Sequence, residues 1–142
     1  MNSIYPFIKT FHCMWAYVVV LSSILLFAMV LYYFITKKPV TRGLKKISFY
    51  TVLSFHIQFL VGVVLYIVSP MIQGYWSNMN MKESTIRLFT VEHPFMMFTA
   101  VILITIANVK LKKSPIIKVS TLIFLILSLL CFYMIPWSVW LQ

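Results

Sequence analysis

The side chains of this sequence best suited to chemistry are its three histidines, His12, His56 and His93. A neutral imidazole binds metals, and its charge changes near physiological pH. Each histidine lies on a different expected helix, where an ionisable group is costly and by default marks a function. Imidazoles from separate helices can converge inside a bundle. One or two of them at similar depth in an apolar pocket are what a b-type haem needs. His56, His93 and His12 are therefore the candidate haem-iron ligands. Each also has a structural reading. His12 suits an amphipathic interface position beside Trp15, His93 a helix end, and His56 a hydrogen bond to a Ser, Thr or carbonyl of a neighbouring helix.

The two acidic residues, Glu83 and Glu92, fall in one segment with Lys82 and Arg87. Glu83 and Arg87 have the i,i+4 spacing of a surface pair worth roughly 0.3–0.5 kcal/mol. Arg87 is also the candidate for binding a haem propionate or an anionic quinol-like ligand, since a guanidinium pairs with carboxylates through two bonds. Glu92 and His93 are sequence neighbours and point about 100° apart on a helix, so no pairing is expected. Ser54, Gln58 and Gly62 form one helical stripe, of which Ser54 and Gln58 are expected to make interhelical hydrogen bonds. His56 points about 160° away from Gln58, among Phe49, Val52, Phe59 and Val63. Cys13 and Cys131 both fall toward the outer halves of their helices, where a disulfide is geometrically conceivable, but they read first as packing residues. Met79 and Met81 form an M-x-M that is a minor candidate for a soft ion such as Cu(I). No phosphate-binding glycine loop, nucleophile elbow or H-E-x-x-H is present.

The elements that must position these residues are membrane helices. Of 142 residues, 62% are apolar and 10% charged, and the mean hydropathy is +0.97. Too few polar groups exist to cover a water-soluble globule. Four apolar stretches, 11–36, 47–69, 94–109 and 119–137, each come near the ~20 residues that span a bilayer. The third extends back to about Met81 if Asn80 and Glu83 act as a capping box, which puts Pro94 inside a helix. Otherwise Pro94 is that helix's first residue. The expected fold is an all-α integral membrane four-helix bundle, one domain over residues 1–142.

Lys37, Lys38, Arg42, Lys45 and Lys46 fill the first loop, and Lys110, Lys112, Lys113 and Lys118 the third. By the positive-inside tendency both loops face the cytoplasm and both termini the opposite side of a bacterial inner membrane. Tyr32, Tyr33 and Tyr50 belong to the inner interface, and Tyr75, Trp76, Trp137 and Trp140 to the outer. Topology and anionic lipid explain the net charge of +10 without nucleic acid. The first helix is too long for a signal peptide, with its cations behind it, and is expected to be retained. Counted from Lys37, Lys46 and Lys110 at ~1.5 Å per residue, the histidines stand roughly 38 Å (His12), 15 Å (His56) and 26 Å (His93) above the inner surface.

Four segments resemble a family of small bacterial four-span membrane proteins commonly labelled "cytochrome B": Phe55 to Pro70, Ser84 to Met97, Ile104 to Lys113, and Ile135-Pro136-Trp137. The resemblance covers nearly the whole chain. It marks His12, His56, Arg87, Glu92 and His93 as the polar positions of the family pattern. Many members resemble H-S-G-L-R-W in the first helix, whereas this chain has Ala16 where that arginine would stand. The resemblance implies a b-type cytochrome that passes electrons within the membrane, with a quinone or respiratory subunits as partners. The alternative is a cofactor-free accessory subunit or small carrier whose histidines pack or relay protons. The motifs of a haem-pathway oxidase are absent, and an electron carrier or subunit is expected rather than a stand-alone enzyme.

Overall fold

A computed structural model describes residues 4–78 and 80–140, of which Val139 and Trp140 only by their backbone. The described chain is helical, with one isolated bridge between Pro39 and Ile116. The helices are α1 (Ile4–Ile35), α2 (Arg42–Val68), α3 (Pro70–Ser77), α4 (Ser84–Lys113), α5 (Val119–Met134) and α6 (Trp137–Trp140). α1, α2 and α4 are long and apolar enough to cross a membrane, and α5 is a shorter apolar helix.

Local chemistry sets the ends. Thr41 caps α2, its hydroxyl accepting from the Leu44 N–H. α2 stops at Val68 because Ser69 precedes Pro70 and takes an extended conformation, and the Ser69 hydroxyl then caps α3. α1 ends in a Schellman turn. The Lys38 N–H bonds the Tyr33 carbonyl, the Lys37 N–H bonds that of Phe34, and Lys37 itself is left-handed at φ 51°. α5 tightens into a 3₁₀ turn at Cys131–Met134 and ends as Ile135 extends ahead of Pro136. It therefore falls short of the expected 119–137.

The third apolar stretch does not begin at Pro94. Its helix starts at Ser84 and runs through the proline, so the longer of the two expected readings holds, with a later start than Met81. Asn80 does not cap it: its side chain accepts from the Lys82 N–H and donates to Glu83 in the preceding turn. Leu88–Glu92 form a π-turn closed by the His93 N–H on the Leu88 carbonyl, which gives the helix its extra width just before the proline ring. Pro94 cannot donate to the Thr90 carbonyl four residues back. The Tyr66 hydroxyl of α2 does so instead at 2.8 Å, and the Trp76 indole N–H of α3 donates to that hydroxyl oxygen at 3.1 Å.

α1 packs on α2, α2 on α4, α4 on α5, and α5 back on α1, which places α1 and α4 diagonally. The two basic loops lie at one end, joined by the Val40 N–H on the Pro115 carbonyl at 2.7 Å. The tightest packing is in that half: Leu26, Val30, Leu44, Ile104, Leu111 and Leu125 are essentially inaccessible. Small polar residues bring the helices close there, as membrane interfaces require. Ser48 donates to Asn108 at 2.9 Å, and Thr51 to the Ser22 carbonyl at 3.4 Å. Toward the opposite end the helices part.

Candidate functional site

Where the helices part, a cavity of about 380 Å³ opens among α1, α2, α4 and the end of α5. Its walls are mostly apolar, including Phe55, Phe59, Phe89, Met97, Phe98 and Phe132. His12 from α1 and His93 from α4 both line it. The heights counted along straight rods put them about 12 Å apart. Both nevertheless border one cavity, so that offset does not keep them from sharing it.

His93 is fixed by the end of α5. Its Nδ1 lies 3.0 Å from the Met134 carbonyl oxygen, which can only accept, so Nδ1 carries the proton and Nε2 keeps a lone pair. This is how a metal-ligating imidazole is commonly oriented. His12 is held differently. The Gln58 side-chain NH2 donates to the His12 carbonyl at 3.0 Å and to the His12 Nε2 at 3.3 Å. An Nε2 that accepts leaves the proton on Nδ1, and that Nδ1, like the Gln58 Oε1, is buried without a partner. Each such orphan costs on the order of 1–3 kcal/mol. Gly62 makes the docking possible, since a Cβ there would stand 3.1 Å from the His12 Cε1.

His56 does not join them. It is exposed on the outer face of α2, in a shallow groove with Phe59, Leu60, Phe98, Val101, Ile102, Thr105 and Ile106. Its Nδ1 is bonded at 2.8 Å to the Val52 carbonyl of its own helix, not to a neighbouring one. As the helical wheel required, Gln58 and His56 face apart. Ser54 and Gln58 both reach α1, Ser54 through its carbonyl, which accepts from the Trp15 indole at 3.1 Å, and its hydroxyl, 3.4 Å from that of Ser22.

Arg87 also lies outside the cavity lining. It pairs with Glu92 at 2.6 Å, not with Glu83, and donates to the Met81 carbonyl at 3.2 Å. The π-turn brings an i+5 residue onto the face where an α-helix would present i+4. Both side chains are substantially exposed, so the pair adds little stability. The cation lining the cavity is Lys9, with Tyr5. Cys13 lines the cavity too, while Cys131 is buried with its thiol on the Leu127 carbonyl, and the two are not joined. Among the described residues no three His, Cys, Asp or Glu side chains gather as a metal-ion site. Met79 of the M-x-M lies outside the described residues.

Sequence reasoning named His12 and His93 but missed Gly62, Lys9 and the Met134 carbonyl. The Ser54, Gln58, Gly62 stripe held a signal for Gly62, because a small residue one turn beyond an interhelical glutamine marks a close approach. No family model, curated protein or solved structure matches the chain. The family resemblance thus rests on the quoted segments alone. Judged by its residues, the cavity fits a haem in part: its walls are apolar, His93 offers an oriented nitrogen, and the Nε2 of His12 is capped.

Proposed function

We propose that this chain is a small four-span b-type cytochrome-like protein of a bacterial inner membrane, with α1, α2, α4 and α5 as its bundle. Both termini and the cavity face the non-cytoplasmic side, because the nine cations of the two joined loops belong inside. The reading is carried by one observation. Two histidines from diagonally placed helices reach the same apolar cavity, and the His93 imidazole is already set as an acceptor by the Met134 carbonyl.

In this reading His93 would be the primary ligand, with His12 the other imidazole lining the cavity, and His56 leaves the ligand set. Lys9, which lines the cavity, rather than Arg87 would hold a haem propionate. A bound haem supplies one-electron chemistry, and the protein supplies ligation, orientation and exclusion of water. Electron transfer of this kind implies a membrane quinone or a respiratory subunit as partner.

The test is haem content per chain in variants that still insert. His93→Ala is expected to lose the haem, and His56→Ala to keep it. Loss in His56→Ala with retention in His93→Ala overturns the assignment. A wild-type chain without haem leaves the accessory-subunit reading in its place.

A further inference from the structure

The two histidine walls are not equivalent. His93 is held through the nitrogen that does not face a ligand, whereas His12 is held through its Nε2, the atom Gln58 caps. The Gln58 amide cannot be turned round to release it, since the His12 carbonyl at 3.0 Å demands a donor at the same nitrogen. Gly62 leaves the space in which the imidazole edge rests, and a side chain there would push the ring away from α2.

We infer that Gln58, backed by Gly62, is a positioning residue that docks His12 against α2 and withholds its Nε2, so that the cavity offers one imidazole and leaves the facing position open. This rests on the haem reading of the cavity but concerns this chain's own residues. It separates a site that binds a small diatomic ligand from a closed bis-histidine carrier. The buried Nδ1–H and Gln58 Oε1 without partners belong to the same arrangement. They are the atoms left over when Gln58 spends both of its N–H donors on His12.

The experiment uses the full chain in detergent with its haem, and reads the spin state of the ferric form and carbon monoxide binding to the ferrous form. The wild type is expected to be predominantly high-spin and to bind carbon monoxide. Gln58→Leu frees the His12 Nε2, and the haem is expected to become low-spin. If His12 then fills the position nine-tenths of the time, apparent carbon monoxide affinity falls about tenfold. Gln58→Leu combined with His12→Ala is expected to return to high-spin, which a merely structural effect of Gln58 would not produce. A low-spin wild type that turns high-spin in His12→Ala overturns the inference, as does a Gln58→Leu spectrum equal to wild type. Nitrogen-15 NMR of the histidines in the haem-stripped chain gives a second readout. The Nδ1–H tautomer is expected at His12 in the wild type and is lost in Gln58→Leu. An Nε2–H tautomer in the wild type overturns the inference whether or not haem binds. Absence of haem alone overturns the functional reading, and the tautomer still decides the role of Gln58.

Discussion

At Gly62 the absence of one carbon decides where an imidazole rests. A Cβ there would meet the His12 Cε1 at 3.1 Å, tight enough that the ring must give by a few tenths of an ångström, while one at Gly74 would meet nothing within 4 Å. Gly62→Ala is therefore expected to displace the His12 ring and lower stability by about 1 kcal/mol or more, as overpacking does. Gly74→Ala, inside α3, is expected to raise stability by roughly 0.5–1 kcal/mol through helix propensity. Thermal melts of the two variants in one detergent check the pair, and equal shifts would contradict the close approach. That the histidines lie within apolar helices was legible in the sequence, because polar groups stand out there. Which of them share a cavity was not, because that depends on the tilt of α1 and the register of α2 against it. Arg87 shows the same limit, since its partner follows from a π-turn that no residue spacing announced.

At the scale of the element, α4 is a helix that carries a proline and keeps its backbone satisfied. The Thr90 carbonyl, left without its helical donor by Pro94, accepts from the Tyr66 hydroxyl, and Trp76 donates to the same oxygen. Tyr66→Phe removes that donor and leaves a largely buried carbonyl unmatched, a loss of ~1–3 kcal/mol. The expected result is a lower melting temperature, with amide exchange rising around Leu88–Glu92 rather than in the basic half. Uniform exchange along α4 would show that the hydroxyl is not the brace. The sequence narrowed this helix to two starting points, and Pro94 suited both. Choosing between them required the tyrosine on another helix that makes an internal proline tolerable.

At the scale of the molecule, packing is tight at the basic end and open at the other. Leu26, Leu44, Ile104, Leu111 and Leu125 close the basic half, and the cavity occupies the half that holds His12 and His93. Composition alone made the helices and their apolar character legible. The division into a closed half and an open half was hidden, because large aromatic residues line the cavity as readily as they fill a core. The orientation makes its own prediction: activity of a periplasm-dependent reporter fused to either terminus, and silence when it is inserted at 38–41. The reverse pattern would place the cavity on the cytoplasmic side.

The proposed haem site is the cavity among α1, α2, α4 and the end of α5. The most direct measurement is a reduced-minus-oxidised absorption spectrum of the purified full chain from haem-replete cells, with haem quantified per chain. The expected result is a b-type spectrum at about one haem per chain, carried by imidazole ligation. A colourless, folded protein from the same cells would contradict it.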